Sequence, residues 1–235
     1  ACLNGRRWGG RCLRAGMWDG GPSQGYKRNR IISSRRRRRI PWFVLGGGSN
    51  ILVSDRGVRG LVIDMTGLAS CRISHTTLTA GAGLAMSEAS DCAAEHGLAG
   101  LDFIYSMPGS VGGAVWMNAR CYGGEIYNVL ASVEVVEPDG KTTTYTPRPE
   151  DFGYKRSPFM KWAGIMTSVS FKLEPGDATV LRQRMQEHEA DRRAKGHFAW
   201  PCAGSIFKNN RDFGSPSGVI IDSLGLRGFQ IGGAK

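Results

Sequence analysis

Pro108-Gly109-Ser110-Val111-Gly112-Gly113-Ala114-Val115-Trp116-Met117-Asn118-Ala119 is the stretch on which the reading of this chain turns, and Tyr122-Gly123-Gly124 prolongs it. Its glycines bare a run of backbone N–H groups with almost no side-chain cover. Roughly sixty residues upstream, Val44-Leu45-Gly46-Gly47-Gly48-Ser49-Asn50 has the same character. Glycine permits φ > 0 and close backbone approach, so a loop of this kind can wrap a pyrophosphate. One such segment among 34 glycines in 235 residues carries little weight. Two of them, each flanked by hydroxyl and amide donors (Ser49, Asn50, Ser110, Asn118), predict a dinucleotide held from both sides.

The spacing argues against the commonest phosphate loops. A Rossmann fingerprint sets G-x-G-x-x-G between a strand and a helix, with an acidic residue about 20 positions on. Here Gly46-Gly47-Gly48-Ser49-Asn50 leads into Ile51-Leu52-Val53, an apolar run that reads as another strand. A P-loop ends in G-K-[ST], which neither segment has.

A formal charge of +11 suggests nucleic-acid binding until it is divided along the chain. Residues 1–40 hold twelve of the 31 basic residues against one acid, Asp19, and the remainder balances 19 basic against 19 acidic residues. Arg35–Arg39 has the charge for phosphate backbones or an anionic membrane. The head has no amphipathic period to hold it as a folded recognition element, so neither nucleic acid nor membrane is expected as a partner. No apolar run approaches the roughly 20 residues that span a bilayer. No signal-peptide core is evident either. The six cysteines are scattered, without C-x-x-C or partnered histidines, and read as reduced thiols of a cytoplasmic protein with no metal site. His75, His96, His188 and His197 read as isolated surface or packing residues.

Strand and helix signals alternate beyond the head. Phe43–Leu45, Leu61–Ile63 and Thr76–Ala80 read as strands, Ala85–His96 as a helix closed by Gly97, and Leu130–Val136 with Thr142–Tyr145 as a hairpin. Gly164–Leu173 is a further strand, Pro175-Gly176 a break, and Ala178–Lys195 a long polar helix.

The wording of the glycine segments resembles the UDP-N-acetylenolpyruvoylglucosamine reductase family. Three more blocks follow in that family's order: Phe152-Gly153-Tyr154-Lys155-Arg156-Ser157-Pro158-Phe159, Ala203-Gly204-Ser205-Ile206-Phe207-Lys208-Asn209, and Ile221-Asp222-Ser223-Leu224-Gly225-Leu226-Arg227-Gly228 with Gly232-Gly233-Ala234. The blocks begin at position 41, and the first 40 residues do not share the resemblance. That head is expected to be disordered or the product of a frame error.

The resemblance implies an α+β fold. An FAD-binding domain of the vanillyl-alcohol-oxidase (PCMH) type is expected over 41–174, and a smaller, truncated α+β substrate-binding domain over 175–235. It implies FAD as cofactor, NADPH as reductant, and a UDP-sugar enol ether as substrate. Gly46, Gly47, Gly48, Ser49, Asn50, Pro108, Gly109, Ser110, Gly112, Gly113, Asn118, Tyr122 and Gly123 are then the residues expected on the cofactor. Trp116 and Tyr122 line the flavin or pack beneath it; the residues do not choose.

Ser205 matches the family's serine proton donor, and Tyr154, Lys208 and Asn209 are expected on the substrate. The family's enolate-stabilising arginine lies in a Tyr-Arg-x-Ser frame, which here reads Tyr154-Lys155-Arg156-Ser157. The role falls to Lys155 at the matching position, or to Arg156 by a one-place shift. Lysine offers a point charge in place of a bidentate fork, so the exchange is not conservative. The span between Ser157 and Pro201 is short, as in family members without the extra tyrosine-bearing loop. Family members continue past Gly232-Gly233-Ala234 to a segment bearing a catalytic glutamate, so the chain as given is expected to turn over slowly. A non-catalytic FAD-binding remnant is the alternative. Oligomeric state is not legible.

Overall fold

Two short apolar runs, one closed by Gly46 and the other ending at Asp64, become neighbouring strands of a small parallel first sheet. The computed structural model describes residues 11–14, 41–199 and 206–233. β1 (Arg11–Arg14) and β2 (Trp42–Leu45) both pair in parallel with β3 (Leu61–Asp64), β1 by Arg11 opposite Leu61 and β2 by Trp42 opposite Leu61. The rest of the head lies outside the described residues, and with it the disorder or frame error expected there. Ile51–Val53, expected as a strand, is irregular, with Leu52 99% exposed. Three apolar residues without alternation have no second face to anchor, and no neighbouring strand takes them up.

β4 (Cys71–Ser74) and β5 (Thr77–Gly81) form a hairpin leading to α1 (Met86–Glu95). Met86, Ala89, Ser90, Ala93 and Ala94 form the buried stripe of α1, at helical spacing. The helix stops where expected, since Gly97 takes φ 64° just past it. β6 (Leu98–Ala99) follows. α2 (Val111–Met117) starts on the Ser110 cap inside the second glycine segment. β7 (Arg120–Cys121) and β8 (Gly124–Glu125) then make a tight hairpin.

β9 (Leu130–Val136), β10 (Thr142–Tyr145) and β11 (Ile165–Lys172) complete the main sheet, antiparallel throughout in the order β10-β9-β11-β5-β4. Ile165, Thr167, Val169 and Phe171 alternate inward along β11, as a strand with one buried face must. Phe171, Leu78, Val133 and Val115 are wholly buried, so the core lies between this sheet and the helices α1 and α2. β12 (Glu174–Pro175) pairs with β6.

α3 (Ala178–Ala194) starts at Asp177, whose carboxylate accepts from Thr179 and Val180 N–H, a capping arrangement that holds that carboxyl below its usual range. Its Leu181 and Met185 pack on Ala94, Ala99 and Tyr105. The chain divides into two compact units, 1–201 and 202–235. Within the second, α4 (Ser217–Ser223) is the main element, and no described side chain there is buried.

Candidate functional site

The two glycine segments meet. A Cβ on Gly47 would stand 3.0 Å from Gly109 Cα, and one on Gly46 would collide with Ser110 Oγ, so both positions must be glycine for the loops to abut. Ser49 Oγ donates to Pro108 O at 3.0 Å and locks the pair. Ser110 is buried at the start of α2, its Oγ accepting from Gly113 N–H at 3.3 Å. Gly112 N–H is taken by Ala82 O at 2.8 Å.

In contrast, the N–H groups of Gly46, Gly47, Gly48, Ser49, Asn50, Gly109 and Ser110 have no acceptor among the described residues. Backbone donors left without partners on two abutting loops fit an anion. Facing loops too close for any side chain, edged by the hydroxyl of Ser49, therefore fit the pyrophosphate of a dinucleotide such as FAD.

The other end of α2 carries a second arrangement. Asn118 is fully buried and takes the left-handed conformation, φ 43°, as the helix C-cap. Its Nδ2 donates to Gly153 O at 3.1 Å and its Oδ1 accepts from Tyr127 N–H at 3.0 Å, so both ends of the amide are engaged within the fold. Gly153 and Arg156 exchange N–H···O bonds, each 3.1 Å, across a two-residue turn made of Tyr154 and Lys155. Ser157 Oγ donates to Trp116 O at 2.7 Å. The Arg156 guanidinium folds back onto its own segment, donating to Phe152 O at 2.9 Å and Glu150 O at 3.2 Å. Lys155, at φ 52°, has no hydrogen bond or ion pair among the described residues. The turn thus offers one basic group and ties down the other.

Tyr122 and Gly123 form the corner of the β7–β8 hairpin, both at positive φ, as a type I′ turn requires. The Tyr122 ring stacks on His188 of α3 with centroids 3.9 Å apart, and its hydroxyl donates to Asp191 Oδ2 at 2.7 Å. Burial, then the Asp191 carboxylate, pushes that phenol up to about 12. Lys195 and Tyr122 together hold the Asp191 carboxyl below its usual range. The Cys121 thiol next to it is raised chiefly by burial, with Arg192 and Lys155 working the other way, which puts the Lys155 charge within electrostatic reach of this hairpin. Trp116 is 40% exposed.

Ser205 lies outside the described residues. Lys208 and Asn209 fall in the second unit, where Asn209 Oδ1 accepts from Ser217 N–H at 2.9 Å at the start of α4. Sequence reasoning missed Ser157 as an anchor, as well as His188 and Asp191 as partners of Tyr122. All three contacts span 41 residues or more, beyond the reach of any local pattern. Among the described residues no cluster of three His, Cys, Asp or Glu side chains could hold a metal ion, and no helix is long and apolar enough to cross a membrane.

Comparison with known proteins gives this geometry its context. Residues 28–146 match an FAD binding domain family, and residues 196–235 match the C-terminal domain of UDP-N-acetylenolpyruvoylglucosamine reductase. The first match corrects the expectation that the likeness starts at 41, since it begins inside the basic head. Short motif blocks mark only the most restrictive stretches of a family, and the preceding residues carry its weaker preferences. UDP-N-acetylenolpyruvoylglucosamine reductase of Streptococcus suis (strain 05ZYH33) is 40% identical over 214 residues, 91% of this chain and 70% of that protein. The enzyme of the same name from Streptococcus pneumoniae (strain Hungary19A-6) is 38% identical over the same shares. The crystal structure of UDP-N-acetylenolpyruvylglucosamine reductase (MurB) from Thermus caldophilus superposes with a TM-score of 0.69 at 35% identity, covering 85% of this chain and 72% of that one. The two facing glycine loops are therefore those of an FAD-binding oxidoreductase, and the chain belongs to the UDP-N-acetylenolpyruvoylglucosamine reductase family.

Proposed function

We propose that this chain reduces UDP-N-acetylglucosamine enolpyruvate to UDP-N-acetylmuramate with FAD as cofactor and NADPH as reductant, a cytoplasmic step of peptidoglycan-precursor synthesis. One observation carries the reading. A single helix, α2, joins two facing glycine loops, whose N–H donors are unmet among the described residues, to a turn that presents a lysine. Residues 41–174 serve the flavin in this reading, and 175–235 belong to the substrate-binding part.

Bound FAD would relay two electrons from the nicotinamide to the enol ether. The N–H groups of Gly46–Asn50, Gly109 and Ser110 would hold its pyrophosphate. Net addition of hydride at the outer carbon of the enol ether leaves an enolate conjugated with the substrate carboxylate. That charge calls for a fixed positive group aimed at the place where it develops. Lys155 supplies it. The bonds from Arg156 to the carbonyls of Phe152 and Glu150 favour Lys155 over its neighbour.

The inner carbon then needs a proton, which Ser205 of the Ala203-Gly204-Ser205 block delivers as a positioned donor. Tyr154, Lys208 and Asn209 are assigned to the UDP-sugar.

The test is NADPH consumption by the FAD-loaded chain with and without UDP-N-acetylglucosamine enolpyruvate. Consumption that depends on the UDP-sugar, and falls roughly 100-fold or more in Lys155→Ala, is expected. A stably bound yellow flavin with no response to the UDP-sugar would overturn this reading and favour a flavin-binding protein without this turnover.

A further inference from the structure

Cofactor binding does not account for the cluster at the C-terminal end of α2. Five non-glycine residues among those described have positive φ, and two of them, Asn118 and Lys155, belong to this cluster. Backbone held in a sparsely populated region persists only where its surroundings over-determine it. Here the surroundings are explicit. Asn118 Nδ2 holds Gly153 O at 3.1 Å, Ser157 Oγ holds Trp116 O at 2.7 Å, and the Gly153–Arg156 pair closes the turn between them. The turn is pinned on both sides, and both pins run to the last residues of α2 or its cap.

We propose that Asn118, helped by Ser157, is a positioning residue that fixes Lys155 against the helix whose other end meets the cofactor. The inference rests on the reading above, in which Lys155 meets the charge on the substrate. The chemistry of the position selects asparagine. It must donate to Gly153 O from one atom, accept from Tyr127 N–H on the other, and tolerate left-handed φ. Aspartate keeps the second and third properties and loses the first. Both polar atoms of the Asn118 side chain are engaged, and the residue is wholly buried.

Asn118→Asp therefore removes the tie to the turn and leaves the cap. The FAD-loaded chain is titrated with UDP-N-acetylglucosamine enolpyruvate, and the shift of the flavin absorbance band is read. FAD affinity, measured separately by flavin fluorescence, is expected to stay at the wild-type value in Ser157→Ala, which cuts the opposite pin. In Asn118→Asp the UDP-sugar is expected to bind on the order of 10-fold more weakly or worse, because a displaced Lys155 loses its charge-assisted bond to the carboxylate. Lys155→Ala weakens binding by itself, and the double variant is then no weaker than Lys155→Ala, because Asn118 acts through Lys155.

Additive effects in the double variant overturn the proposal. So does wild-type binding by Asn118→Asp alongside a weakened Lys155→Ala. Wild-type binding by Lys155→Ala itself is a different result: it removes the assigned role of Lys155, and the positioning proposal falls with it. If Asn118→Asp does not fold, Ser157→Ala runs the same cycle from the opposite pin, with the same non-additivity expected.

Discussion

The two ends of α2 treat their polar groups in opposite ways. At the N-terminal end the glycine loops keep a set of backbone donors without acceptors among the described residues. At the C-terminal end the amide of Asn118, the hydroxyl of Ser157 and the guanidinium of Arg156 are all bonded to backbone carbonyls or N–H groups of the fold. Donors on an accessible rim that the fold leaves unmet are ones an anionic ligand can meet. A fully met network does the reverse, since it rigidifies what it surrounds. One end is built to receive and the other to hold still.

The largest effect should come from closing the receiving end. In Gly47→Val the new side chain would press on Gly109 and part the loops, and FAD affinity should fall about 100-fold or more, close to 3 kcal/mol. Titration of flavin fluorescence measures it; unchanged affinity would mean that the loops do not carry the pyrophosphate. Ser157→Ala acts at the holding end. It leaves Trp116 O without its partner, so a loss of about 1–3 kcal/mol in urea unfolding is expected, with FAD affinity untouched. A parallel fall in FAD affinity would show that the two ends are not separate.

Ser110→Ala removes the cap of α2 and should cost about 1 kcal/mol in the same unfolding experiment. The smallest effect at neutral pH is expected from Tyr122→Phe, and its signature lies in alkali. Burial and then a neighbouring carboxylate, Asp191 for Tyr122 and Asp151 for Tyr145, push both phenols up to about 12. A raised folded-state value favours the neutral form. The stabilisation is full below the ordinary tyrosine value of about 10 and is lost as pH climbs towards 12. An ultraviolet titration should show one late-ionising tyrosine fewer in Tyr122→Phe than in the wild type.

Much of the fold was legible because it is written in periods. Inward alternation along β11 and the buried stripe of α1 both appear as repeats of two or of three to four residues. The two glycine segments were legible as a pair, read as loops on either side of a dinucleotide, whereas their direct contact, Gly47 against Gly109, appears only in the folded chain. The helix α2 was not, because Gly112 and Gly113 lower helix propensity by about 1 kcal/mol each and hide a helix that tertiary packing supports. Ile51–Val53 shows the opposite failure, an apolar run with no neighbouring strand to pair with. Asn118 was read as a ligand donor from its place in the motif. Its bond to Gly153, 35 residues away, exists only once the chain is folded.

α2 has seven residues, hence a length of about 10 Å at 1.5 Å per residue. That makes it a ruler between the glycine loops and the lysine turn. Each residue also advances the helix by about 100°, so one inserted residue would swing Asn118 off Gly153 while lengthening the span by only about 1.5 Å. Substitutions along the outer face of this helix should therefore be far better tolerated than any change in its length, and its register is the quantity that an insertion scan would find most tightly constrained.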